Sequence, residues 1–151
     1  MVGSFEQFIL NLSDITRYWH QIASEELARY GLKGAYAVYF TALHSAGGGM
    51  TAGEMCRVCG RDKSDVSRAI RAMEELGFVV RDGEAGSYRT PLRLTSQGRR
   101  AAEEISERAR IAMECGGEGL SDEQRMELYR MLSVISDNLR AITRTGLPDK
   151  K

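Results

Sequence analysis

Apolar side chains recur at helical spacing through most of the chain. Phe5, Phe8, Ile9, Leu12, Ile15, Trp19, Ile22, Ala23 and Leu27 predict a first helix from about Ser4 to Tyr30. Ser4-Phe5-Glu6-Gln7 reads as its capping box, and Gly31 as its stop. Ala35, Val38, Tyr39, Ala42 and Leu43 share one side of a second helix, about Ala35 to Ser45, closed by Gly47-Gly48-Gly49. Another capping box, Thr51-Ala52-Gly53-Glu54, opens a short helix that stops at Gly60. Asp62 then caps a longer helix from Lys63 to about Leu76, whose buried stripe is Val66, Ala69, Ile70, Met73 and Leu76. A short helix, a tight turn and a longer helix with a polar outer face make a helix-turn-helix.

The period then changes. Gly77-Phe78-Val79-Val80-Arg81 has strand character, Asp82, Gly83, Gly86 and Ser87 supply turn residues, and Leu92-Arg93-Leu94-Thr95 alternates. This predicts a β-hairpin in the position of a wing, with Pro91 admitted because an edge strand can spare an amide donor. A fifth helix, capped by Thr95 or Ser96 and reaching about Cys115, carries mostly small apolar residues: Ala101, Ala102, Ile105, Ala109 and Ala112. Ser121-Asp122-Glu123-Gln124 caps a sixth, in which Leu128, Leu132, Ile135, Leu139 and Ile142 repeat at heptad spacing. That seam is more apolar than a monomer should leave exposed, and it predicts a homodimer through the first, fifth and sixth helices. The fold class is therefore mostly α (α+β): a winged helix-turn-helix at 34–95, with 1–33 and 96–151 forming a helical dimerisation lobe.

Composition fits this picture. At 151 residues, 42% hydrophobic and 28% charged, the chain has the make-up of one globular domain. It shows no apolar run long enough for a bilayer and no signal-peptide pattern, and its three cysteines are too few for a disulfide scaffold, so the expected location is cytoplasmic, with no membrane partner. The zero net charge hides a pattern, because residues 57–100 carry net +4 between flanks of −2 each. A basic middle suits a polyanionic partner.

The candidate chemistry is that of recognition. Ser64, Asp65, Ser67, Arg68 and Arg71 fall on the outer face of the longer helix, where arginine can pair bidentately with guanine and serine can reach bases or phosphates. Asp65 suits the first helical turn best in a capping role. Cys56-Arg57-Val58-Cys59 sits at the end of its helix where the dipole opposes a thiolate, and it lacks the further ligands a structural zinc needs; it reads as two small apolar side chains. Cys115, beside a glycine loop, is the cysteine expected at the surface. Two histidines and no nucleophile–base spacing argue against a metal, a cofactor or an enzyme. Eight of the eleven aromatics lie in the first forty residues, and Tyr18, Trp19, Tyr36, Tyr39 and Phe40 either line a cavity or pack as core.

The run Asp62-Lys63-Ser64-Asp65-Val66-Ser67-Arg68-Ala69-Ile70-Arg71-Ala72-Met73-Glu74-Glu75-Leu76-Gly77-Phe78-Val79 resembles the recognition-helix line of the MarR family of bacterial winged-helix transcription regulators, and Leu94-Thr95-Ser96-Gln97-Gly98 is similar to that family's wing-to-helix junction. The element order agrees along nearly the whole chain. The resemblance implies a homodimeric, sequence-specific binder of double-stranded DNA that places two winged helices on a palindromic operator, and a repressor relieved by a small aromatic effector held near the aromatic cluster. Arg81, Arg89 and Arg93 on the hairpin are then the wing contacts. The wing tip, Asp82 to Arg89, lacks the family's aspartate–x–arginine signature, and Asp65 stands where the family more often has serine or threonine. The alternative is a winged helix that serves protein interaction or dimerisation without specific DNA binding, a role that has no need of the +4 middle.

Overall fold

The computed structural model describes residues 3–83 and 89–147. In chain order the elements are α1 (Ser4–Ala28), a 3₁₀ turn (Gly34–Tyr36), α2 (Ala37–Ala46), α3 (Ala52–Cys59), α4 (Lys63–Glu75), β1 (Val79–Arg81), β2 (Leu92–Leu94), α5 (Ser96–Gly116) and α6 (Asp122–Thr145). Among the described residues the chain is mostly helical with one antiparallel strand pair, as the periodicity predicts. It divides into two units, one running to Ile111 and the other starting at Ala112.

The core of the first unit gathers around α4. Val66, Ala69, Ile70 and Met73 face inward at successive helical turns and meet Leu27, Phe40, Met55 and Leu92, all essentially inaccessible. Burying each larger side chain of that stripe stabilises the fold by about 1.5–3 kcal/mol, which fixes the rotation of α4 about its own axis. Phe78 supports the same core, with its ring edge-on to Phe40 at 5.5 Å and to Tyr30 at 5.8 Å between centroids.

Local chemistry sets the ends of these helices. The Asp62 carboxylate accepts the Asp65 amide at 2.8 Å and caps α4. At the other end Gly77 adopts φ +77°, its N–H donates to Glu74 and the Phe78 N–H donates to Met73, so the chain turns sharply out of α4 into the wing. Thr51 and Glu54 form the reciprocal cap of α3, and Thr51's backbone and hydroxyl donors hold the Glu54 carboxyl below its ordinary range. Thr95 joins wing to helix: its hydroxyl donates to the Gly77 carbonyl at 2.7 Å and accepts from the Gly98 amide at 3.0 Å. A Cβ on Gly98 would collide with the Phe78 carbonyl, so the Leu94-Thr95-x-x-Gly98 junction is a packing requirement.

Several expectations change. The first capping box is shifted by one residue: Gly3 precedes the helix, Ser4 is its first helical residue, and Glu6 accepts the Gly3 amide at 2.6 Å. Glycine has no oxygen to reciprocate. The segment before α2 is a 3₁₀ turn in which Gly34 lies against the Ser24 backbone, and Ala35 in it and Val38 in the first turn of α2 are exposed rather than on the buried side. Leu76 is 42% exposed, since the backbone leaves the helix at that residue. Nor is β2 a simple edge at Leu92, whose N–H and carbonyl both bond to Met50 (2.8 and 3.0 Å), a rung the glycine run concealed. Pro91 still contributes its carbonyl, to the Asp82 amide. The predicted turn residues Gly86 and Ser87 lie outside the described residues.

In the second unit, α6 opens on the predicted Ser121 cap and buries none of its residues. Leu128, Ile135 and Leu139 are exposed, and Leu132 and Ile142 half-buried.

Candidate nucleic-acid interface

The buried stripe of α4 turns the opposite face outward. Ser64, Ser67, Arg68 and Arg71 are exposed there, and Asp65 is half-buried beside them. The arginines are already engaged. Arg68 Nη1 donates to Ser64 Oγ at 3.0 Å while Nη2 pairs with the Asp65 carboxylate, so the guanidinium is tied one turn back along its own helix. Arg71 Nε donates to Glu75 at 3.1 Å. Pairs this exposed are worth little in water, and they leave the arginines able to change partner.

The wing arginines differ from one another. Arg81 is the least accessible, its side chain 24% exposed and its Nε donating to Glu74 at 2.7 Å, which fastens β1 to α4. Arg93 pairs across the hairpin with Asp82. Arg89 is exposed and borders a recess with Thr51, Glu54 and Arg57 at the start of α3. The tip residues 84–88 lie outside the described residues.

A second recess, about 180 Å³, lies at the foot of α4 between Lys33, Tyr36, Tyr39, Arg61, Asp65 and Arg68. Burial pushes the Tyr39 phenol above its usual pKa, with Arg61 partly opposing the shift. The sequence reading passed over Lys33, Arg57 and Arg61. For two of them the signal was available, since Arg57 stands in the last turn of α3 and Arg61 in the turn before α4; Lys33 lies just before the 3₁₀ turn.

The five aromatic candidates do not share one cavity. Trp19 lines a pocket of about 260 Å³ with Ile22, Leu27, Val38, Ile105 and Ala109, edged by Glu26 and Arg108, which bond at 2.9 Å. Tyr36 and Tyr39 border the recess under α4, Phe40 is fully buried core, and Tyr18 is exposed beneath the Arg17 guanidinium. Cys56 and Cys59 are half-buried against the core; burial raises the Cys59 thiol pKa, while Cys115 is exposed. Among the described residues no three His, Cys, Asp or Glu side chains gather to hold a metal, and no helix is long and apolar enough to cross a membrane.

Residues 30–87, the segment that builds this face and the first strand of the wing, match the sequence model of the MarR family. The match is a likeness to the MarR family over that segment, 58 of the 151 residues. No curated protein matches it by sequence. The MarR fold itself extends well beyond the matched segment. A MarR transcriptional regulator from Methanosarcina mazei Go1 superposes with a TM-score of 0.81 at 21% identity, covering 93% of this chain and 94% of that one. A putative MarR family regulator from Listeria monocytogenes, solved with a 26mer DNA, gives 0.80 at 16% identity over 95% and 97%. S. aureus MepR, solved as a DNA complex, gives 0.74 at 18% over 91% and 96%.

Proposed function

We propose that this protein is a cytoplasmic, sequence-specific regulator that binds double-stranded DNA as a homodimer, with α4 in the major groove and the wing on the flanking backbone. The observation that carries the reading is the outward face of α4, where Ser64, Ser67, Arg68 and Arg71 stand in solvent because Val66, Ala69, Ile70 and Met73 are locked into the core. The net +4 of residues 57–100 and the two structural relatives solved with DNA support it. Arg81, Arg89 and Arg93 provide the wing's cations. Residues 34–95 act as the DNA-binding lobe, and 1–33 with 96–151 as the dimerisation lobe. The apolar residues left in solvent on α1 (Phe5, Ile9, Leu12, Ile15) and on α6 (Leu128, Ile135, Leu139) favour the dimer.

The regulator acts as a repressor on a palindromic operator and is relieved by a small aromatic effector. The effector's place is the pocket beside Trp19, which is mostly apolar with one charged edge at Glu26 and Arg108. Selection of bound fragments from a random-duplex pool tests the DNA reading. A two-fold symmetric motif is the expected result. A pool that emerges unenriched contradicts it and leaves the winged helix as a protein-interaction module.

A further inference from the structure

We propose that Asp65 is a specificity-determining positioning residue, which holds the Arg68 guanidinium in one orientation so that it reads one base pair rather than the nearest phosphate. The inference rests on the DNA-binding reading above. Its basis is a set of contacts on a single helical turn. Arg68 is tied at two points, to Ser64 Oγ at 3.0 Å and to the Asp65 carboxylate, and a planar guanidinium fixed at two of its nitrogens has its remaining N–H edge fixed too. Asp65 is itself restrained: its side chain is only 41% exposed, and it borders the recess formed with Lys33, Tyr36, Tyr39 and Arg61.

A carboxylate on a face that meets a polyanion opposes binding unless it has a cation of its own. Arg68 supplies that cation, and Arg61 borders the same recess. The pair is weak in water, but inside a groove that excludes water the same charges are screened less and the pairing tightens. Without the carboxylate, Arg68 is a long flexible cation free to follow phosphate charge, which is the same beside every sequence. Asp65 thus lowers affinity for DNA in general and raises discrimination.

The test is a parallel selection from one random-duplex pool with the wild-type protein, Arg68→Ala, two charge-free variants (Asp65→Asn and Asp65→Ser) and the charge-keeping Asp65→Glu. Folding of each is checked by circular dichroism. Glutamate should rescue, because Glu107–Arg110 and Glu127–Arg130 close at the same i, i+3 spacing in this chain, at 2.6 Å each. The expected result is that either charge-free variant loses preference at the position that Arg68→Ala loses, by roughly tenfold, the size of one bidentate base contact. Binding to the unselected pool should strengthen, and Asp65→Glu should restore the motif. If the wild type enriches a motif and the charge-free variants keep it whole while Arg68→Ala loses a position, Asp65 does not position Arg68 and the DNA reading stands. If the wild type enriches nothing, the DNA reading fails and the role of Asp65 falls with it.

Discussion

Arg68 and Arg71 share a face of α4 but not their partners. Arg68 sits near the start of α4, where a recognition helix meets base edges, and its donors are held by Ser64 and Asp65; Arg71 is one turn further on, paired with Glu75. Arg68→Ala should therefore cost about 1–3 kcal/mol on a selected duplex and relax one position per half-site, read by fluorescence anisotropy on matched and single-substituted duplexes. A uniform loss across all sequences would make Arg68 a phosphate contact instead. Tyr30 offers a prediction about stability. Burial, and then its hydrogen bond to Glu104, push its phenol up to about 12. A raised folded-state pKa means that the neutral phenol is favoured in the folded protein. Its contribution is whole below about pH 10, the unfolded value, and is lost as pH rises toward about 12. Tyr30→Phe should remove that part of the alkaline fall in stability, followed by denaturant unfolding at several pH values; an unchanged slope would show that the folded protein does not raise the Tyr30 phenol.

At the scale of elements, the wing junction is the tightest constraint in the first unit. Gly98→Ala drives a methyl group into the Phe78 carbonyl where Thr95 has already used its hydroxyl to bind the strand to α5. Chemical denaturation should show a loss of about 1–3 kcal/mol. A neutral result would mean that the wing floats free of α5. Here too lies the boundary of what was legible. The helices and the hairpin follow from hydrophobic period and caps, because Asp62, Thr51 and Ser121 satisfy orphan amides at the starts of α4, α3 and α6. The Met50–Leu92 rung was hidden because it depends on a backbone approach between segments far apart in sequence, and the close approach of Gly34 to Ser24 because hydrophobic period says nothing of how one element meets the next. The outer face of α4 could be read because a buried stripe implies its opposite. The aromatic cluster could not be sorted, because period places a ring on a helix face without saying which cavity that face borders; Trp19, Tyr36, Phe40 and Tyr18 fell into four different surroundings.

The whole molecule is proposed to work as a pair of chains. Heptad spacing along α6 places Leu128, Leu132, Ile135, Leu139 and Ile142 on one seam, and none of them is buried within a single chain. Leu132→Asp puts a charge in that seam, and sedimentation equilibrium should change from dimer to monomer or aggregate. A wild-type protein that sediments as a monomer at micromolar concentration would remove the seam's role. The pairing matters because two α4 helices fixed at one distance demand two half-sites on one side of the duplex, centres about 34–36 Å apart. The most direct measurement is anisotropy on the selected operator and on the same duplex with about five base pairs, half of a ~10–10.5 bp turn, inserted between its half-sites. The account predicts tight binding to the first and only weak, salt-sensitive binding to the second, at the level of scrambled DNA. Equal affinity for both would contradict a rigid dimer reading paired half-sites through α4.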